Sequence, residues 1–161
     1  MLLYRRRGGL VLPLTRRTDK LQMHKGQISL PGGAREPQDP TFVQTALRET
    51  GEELGIPAGA VDVLGPLTPL FIPVSAFCVY PYVGYARQAV PLQPDANEVA
   101  EVIEVSVEHL LDPATRQEEI HWRDNQRFEV PTYRVGDHRV WGATAMILAE
   151  LLTLLRTALE K

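Results

Sequence analysis

Residues 39–57 restrict this chain more tightly than any other stretch. Asp39-Pro40 reads as a helix N-cap followed by proline at the first helical position. Val43, Ala46, Leu47, Thr50 and Leu54 then recur at about 100° per residue, which predicts a helix over 40–54 with one apolar face. Gly55 offers a left-handed C-cap, and Pro57 bars continuation. On the other side of that helix Glu49, Glu52 and Glu53 stand at i, i+3 and i+4, so three carboxylates leave one side together. Like charges at this spacing cost a helix roughly 0.2–0.5 kcal/mol per pair, and no Lys or Arg occupies position 45, 52, 56 or 57 to offset Glu49 and Glu53. A solvated acidic face would leave that cost standing; a divalent cation removes it. Hard oxygen donors in this number suit Mg²⁺ or Mn²⁺, ions that keep several waters and accept substrate phosphate as an added ligand. Gly32 and Gly33, in the turn ahead of the helix, add backbone N–H donors for an anion. Metal-assisted work on phosphate is the chemistry implied. Arg48 has two readings, contact with a substrate phosphate and bracing of the acids, and bracing is favoured.

Size and charge bound the rest. A chain of 161 residues with 44% hydrophobic content supports one domain, 1–161, with its own core. A net charge of −3 and a pI near 5.8 provide no basic field, so no nucleic-acid partner is expected and any bound anion must be held locally. Arg5-Arg6-Arg7 followed by the apolar residues 10–14 has the outline of a signal peptide, but the apolar part is too short and is interrupted by Pro13. No apolar run reaches the ~18 residues of a spanning helix, since Glu150 and Thr153 break the richest stretch, and no membrane partner is expected. Cys78, the only cysteine, lies in an apolar run and reads as buried filler that rules out an intrachain disulfide. A reducing, cytoplasmic setting is expected.

Strands are predicted at 10–14, 28–30, 61–70, 76–86 and 101–105, with a Pro- and Gly-rich loop at 31–40. A short helical turn comes next at 107–111, then late strands at 127–133 and 138–141 around Gly136. A long helix over 142–159 closes the chain, its apolar stripe formed by Ala145, Leu148, Leu151, Leu152, Leu155 and Leu159. That stripe is expected to pack on the sheet, with a homodimer seam as the alternative. Interleaved strands and helices give an α/β or α+β class.

Arg48-Glu49-Thr50-Gly51-Glu52-Glu53-Leu54-Gly55-Ile56 resembles the second half of the Nudix box, Gly-x5-Glu-x7-Arg-Glu-U-x-Glu-Glu-x-Gly-U with U aliphatic, placing the box at about 33–56. Thr50 stands where an aliphatic residue is usual. The spacing from Gly33 to Arg48 is one residue longer than the general pattern, which sets Asp39 where the first glutamate is expected. The resemblance implies a Nudix fold, a mixed curved β-sheet sandwiched between helices as α/β/α, with Glu49, Glu52 and Glu53 as metal ligands. Leu14-Thr15-Arg16-Arg17-Thr18, Gly26 and Leu30-Pro31-Gly32-Gly33 are similar to the signature of the coenzyme A pyrophosphatases of that family, Leu-Leu-Thr-x-Arg-Ser/Ala-x3-Arg-x3-Gly-x3-Phe-Pro-Gly-Gly, a branch that tolerates the longer spacing. Pro13, Thr18, Gln22 and Leu30 depart from it, Gln22 most seriously, because a neutral amide cannot replace a guanidinium against phosphate. Asn97-Glu98-Val99-Ala100-Glu101-Val102, Leu110-Leu111-Asp112-Pro113 and Trp141-Gly142-Ala143-Thr144-Ala145 extend the likeness over most of the chain.

Coenzyme A carries a pyrophosphate and a ribose 3′-phosphate, so its site needs local cations. Arg16, Arg17, Lys20, His24, Lys25 and Arg35 lie within one stretch, and Arg17, Lys25, Gly32, Gly33 and Arg48 are the expected substrate-binding residues. The implied reaction is attack of water on phosphorus, giving 3′,5′-ADP and 4′-phosphopantetheine. Its general base is open among Glu52, Glu53 and Glu98. A second reading, hydrolysis of another conjugate such as ADP-ribose, NADH or an oxidised nucleotide, is kept alive by Gln22 and Leu30. A third, a non-catalytic nucleotide sensor, sits poorly with an intact glutamate set.

Overall fold

The computed structural model describes residues 1–6, 8–18, 26–73, 75–88, 91–123 and 125–160. Its first strand, β1 (Leu2–Arg6), was not expected from the sequence pattern; Leu2 and Tyr4 turn to one face, Leu3 to the other, and all three are buried. β1 pairs antiparallel with β2 (Gly9–Arg17) and parallel with β7 (Tyr82–Ala86), which pairs antiparallel with β4 (Val61–Pro66). One edge of β2 is shared by β1 and β3 (Ile28–Ser29), while the other pairs along residues 11–17 with β8 (Val99–Ser106). The result is a mixed six-stranded sheet.

The stretches expected as single strands at 61–70 and 76–86 each divide. β5 (Leu70–Ile72) and β6 (Phe77–Val79) form a separate hairpin, and β7 begins only after Pro81. Proline has no N–H for a ladder, and here its carbonyl instead accepts from the Leu67 N–H at 2.8 Å. Cys78 sits on β6 and is exposed, contrary to its expected burial, because this hairpin keeps one face outside the core.

Helix α1 (Phe42–Leu54) lies on one face of the sheet. Leu54 and the adjoining Ile56 pack with Leu2, Tyr4 and Ala86, and the Val43, Ala46, Leu47 and Thr50 side lines a crevice against Leu2, Val61 and Gly84. Its N-cap is Thr41 rather than Asp39: Thr41 Oγ1 accepts from the Gln44 N–H at 3.3 Å. Asp39 is already occupied by Arg48 and by the Glu36 N–H. At the other end Gly55 adopts φ 71° and donates to the Gly51 carbonyl at 2.9 Å, the expected left-handed cap.

The opposite face carries the larger core. Leu3, Leu12, Leu14, Val83 and Val105 of the sheet meet Leu110 of α2 (Val107–Leu111) and Ala145, Ile147, Leu148, Leu151 and Leu152 of α3 (Gly142–Leu159). Burying each such Leu or Ile is worth about 1.5–3 kcal/mol. A three-stranded antiparallel sheet joins this core through Tyr133, Val135 and Val140; it comprises β9 (Arg116–Arg123), β10 (Gln126–Val135) and β11 (His138–Val140). The layers are thus α/β/α. Length and composition of α3 alone would suit a membrane-spanning helix, more than its interrupted apolar run suggests, but five of its residues are core residues. Its stripe packs on the sheet as far as Leu155 and leaves Leu159 exposed.

Candidate active site

The acids of α1 meet two segments of chain, the loop 31–40 before the helix and the loop 93–98 after β7. Arg48 ties the first to the helix. Its Nε and one terminal nitrogen donate to both oxygens of Asp39 at 3.0–3.3 Å, and the same terminal nitrogen reaches the Ala34 carbonyl at 3.0 Å. Its other terminal nitrogen lies 2.9 Å from Glu49 and 2.7 Å from Glu52. These acceptors hold the guanidinium firmly charged. In return Asp39, hydrogen-bonded by Arg48 and then by the Glu36 N–H, is held down to about 2. Of the two acids that had no cation at the expected helical spacings, Glu49 therefore has one in the adjacent Arg48, and Glu53 does not.

Glu53 is the counterpart. It is 4% exposed, and burial pushes its carboxyl up to about 7, helped by repulsion from Glu49 and Glu98. The Gly32 backbone N–H and the charge of Arg17 act the other way. Its Oε2 is buried without a hydrogen-bond partner, and so is Nε of Arg17. Glu49 is also pushed up, first by burial and then, against the pull of Arg48, by Glu52 and Glu98. Gly33 leaves room for the Glu49 carboxylate: a Cβ there would lie 2.4–2.5 Å from it and would force that side chain to move.

Loop 93–98 is latched to the end of α1. Gln93 N–H donates to the Leu54 carbonyl at 2.8 Å and Asp95 N–H to the Glu53 carbonyl at 3.1 Å. Asp95 then folds the turn, its carboxylate accepting from the Asn97 N–H and its carbonyl from the Glu98 and Val99 N–H groups. Glu98 is fixed to the end of β2 through its carbonyl, which accepts from the Thr18 N–H at 3.0 Å. A register shift between Arg16 and Arg17 marks the same place, and Arg17 is aligned there with Val99. Gly55 serves this latch as well, since a Cβ on it would come within 2.7 Å of Gln93.

The structure thus brings together Arg17, Gly32, Gly33, Glu49, Glu53 and Glu98. It turns Glu52 away: that carboxylate is 58% exposed and points to Arg48. Among the described residues no three His, Cys, Asp or Glu side chains are gathered ready for a metal ion. The donor chemistry nonetheless fits a hard divalent cation, because Glu49, Glu53 and Glu98 repel one another and one Glu53 oxygen is buried without a partner. Lys25, with Lys20, Gln22 and His24, lies outside the described residues. Two functional contributors escaped the sequence reading, Asp39 as the anchor of Arg48 and Asp95 as the former of the Glu98 turn. Both are acids beside Pro or Asn in loops, a turn signal that says nothing of a long-range partner.

This fold, with an acid-bearing helix braced from both sides, matches a known class. The NUDIX domain family model covers residues 1–126, and the chain belongs to the Nudix hydrolase family, whose members generally need divalent metal ions such as Mg²⁺. Among its relatives is an uncharacterized Nudix hydrolase, NudL, of Yersinia enterocolitica, 40% identical over 87% of this chain and 71% of that protein. Similar solved structures include a C. elegans Ap4A hydrolase binary complex, with TM-score 0.57 and 18% identity over 70% of this chain and 81% of that one. The NUDIX domain of Shewanella oneidensis NrtR, complexed with ADP ribose, gives TM-score 0.50 and 19% identity over 68% and 71%. These structural likenesses concern the fold.

Proposed function

We propose that the protein is a Mg²⁺- or Mn²⁺-dependent pyrophosphohydrolase that cleaves coenzyme A or its derivatives into 3′,5′-ADP and 4′-phosphopantetheine. The observation that carries this reading is the meeting of Arg17, from the coenzyme A-type stretch 14–33, with the buried Glu53 of the Nudix helix. Both side chains keep a buried polar atom without a partner, an arrangement suited to a site that is completed by ion and substrate.

Glu49, Glu53 and Glu98 are the residues that would hold the metal, with Glu52 joining once it leaves Arg48. When bound, a divalent ion would neutralise phosphate charge and make the attacking water more acidic. The protein's own part is positional. Arg48 keeps the loop 31–40 against the helix, so that the Gly32 N–H stays on Glu53 and Gly33 leaves room for Glu49. Arg17, Arg48 and Lys25 are the proposed substrate contacts, with Gly32 and Gly33 offering close backbone approach; Arg48 acts chiefly as a brace, given its four acceptors. Glu52, Glu53 and Glu98 are the candidates to accept the proton of the attacking water. Glu52 has the most direct solvent access of the α1 acids. A cytoplasmic setting goes with this reading.

One observation favours a second substrate class: a solved Nudix domain of similar fold is complexed with ADP ribose, and Gln22 and Leu30 depart from the coenzyme A signature. The test is an assay of coenzyme A, ADP-ribose and NADH, with and without Mg²⁺ or Mn²⁺, with products identified by mass. Coenzyme A is expected to be turned over best, only with metal, into the two named products. Faster turnover of ADP-ribose would overturn the substrate, and metal-independent turnover the mechanism.

A further inference from the structure

β9 is the outer strand of the three-stranded sheet, and among the described residues no strand pairs with its far edge. Eight residues of open edge are a ready template for another chain. The face that β9 shares with Tyr133 carries Arg116, Glu118, Ile120 and Trp122, opposite Tyr133, Pro131, Glu129 and Arg127 of β10. On that face the charges are matched within the hairpin, Arg116 with Glu118 at 3.0 Å and Arg127 with Glu129 at 2.6 Å. What is left uncovered is apolar, Ile120 at 54% and Trp122 at 71% exposure. On the reverse face Glu119 meets Arg139 and His121.

We propose that two copies of this chain dimerise by antiparallel pairing of β9 with β9, with the two-fold axis at Ile120. Residues opposite one another in an antiparallel pair either exchange both hydrogen bonds or none, so a strand pairing with its own copy must place some residue opposite itself. An axis at Glu118 or Glu119 sets a carboxylate against its twin, which is repulsive. An axis at His121 opposes two imidazoles and shortens the overlap to 119–123. An axis at Ile120 uses 117–123, joins Ile120 to Ile120, and puts Glu119 opposite His121 of the other copy twice. Each Trp122 then lies opposite a Glu118 whose charge Arg116 already balances, with its ring available to cover the central isoleucines. The two three-stranded sheets become one of six strands, and both open edges disappear. This surface involves none of the acid-site residues, so it stands or falls apart from the substrate assignment.

Sedimentation equilibrium across the micromolar range is expected to give twice the chain mass of 18.0 kDa. Ile120→Lys places two ammonium groups opposite each other and is expected to give a monomer with an unchanged circular dichroism spectrum. Should that variant fail to fold, oxidative cross-linking in a Cys78→Ser background decides: Ile120→Cys is expected to link rapidly across the axis, and Glu119→Cys not to link. A wild-type protein that stays monomeric, a folded Ile120→Lys dimer, or cross-linking at 119 in preference to 120 would each overturn the proposal.

Discussion

Asp39 and Glu53 each expose only 4% of their surface, one before α1 and one near its end, yet Glu53 lies deeper in the protein and the two titrate in opposite directions. Asp39 accepts from Arg48 and from the Glu36 N–H and is held down to about 2. Glu53 is pushed up to about 7, first by burial and then by Glu49 and Glu98, against the pull of the Gly32 N–H and Arg17, and one of its oxygens has no partner. Two things separate these acids: Glu53 lies deeper in the protein, where desolvation opposes its charge, and Asp39 has the complete set of partners that Glu53 lacks. A fully satisfied carboxylate fixes the loop, and an incompletely satisfied one on the same helix is left to be completed by something that is not protein.

The largest expected effect tests the incomplete member. Glu53→Gln keeps shape and removes charge, and steady-state kinetics should show more than a 100-fold loss of kcat/KM, beyond what losing an outer hydrogen-bond partner costs. The fold should survive, and circular dichroism checks that. Near-normal turnover would mean that the orphaned oxygen has no chemical use.

Next in size is the pH dependence of stability without metal. Between 4.5 and about 7 the folded chain holds the Glu53 proton more tightly than the unfolded chain, so stability falls as pH rises through that window, by at most about 3 kcal/mol. Asp39 works the other way, its contribution present above 3.8 and lost as pH falls towards about 2. Urea midpoints measured with a chelator should therefore peak between the two windows. The upper limb should flatten in Glu53→Gln. A wild-type midpoint that climbs steadily from mildly acidic to neutral pH would contradict the contrast between the two acids.

The smallest effect belongs to the satisfied member. Asp39→Asn keeps a hydrogen-bonding group but drops the charge opposite Arg48, and kcat/KM should fall by about 10–100-fold, the usual range for a supporting partner of a metal site. Raising Mg²⁺ should recover part of that loss, because the defect lies in how the loop is held. A loss as deep as that of Glu53→Gln would move Asp39 from support into the reacting site.

The parts of the fold that announce themselves are those with a local cause. α1 ends at Gly55 as its spacing demands, α2 falls on 107–111 as expected, and α3 spans 142–159. β1 and β9 left no comparable pattern. Leu2 and Leu3 face opposite cores, so the strand shows no alternation, and β9 runs Arg-Gln-Glu-Glu-Ile-His-Trp-Arg, a sequence stabilised by its ladder with β10. Within the site, Glu49 and Glu53 were legible from helical spacing. The diversion of Glu52 to Arg48 was not, because a spacing rule fixes which side a residue leaves from but not which of several partners captures a long side chain. Asp39 was misread as a cap for a related reason: its use is decided by Arg48, nine residues further on.

The latch between Gln93, Asp95 and the last carbonyls of α1 carries a consequence for how such a chain can vary in length. The register of the chain downstream of β7 is set where the Gln93 N–H docks on the Leu54 carbonyl. Between Gln93 and Glu98 the chain is held at both ends and folded by Asp95. One added residue there would carry Glu98 out of step with both Thr18 and the helix, so the spacing of Glu98 from the α1 acids is measured from the dock and not from the strand before it.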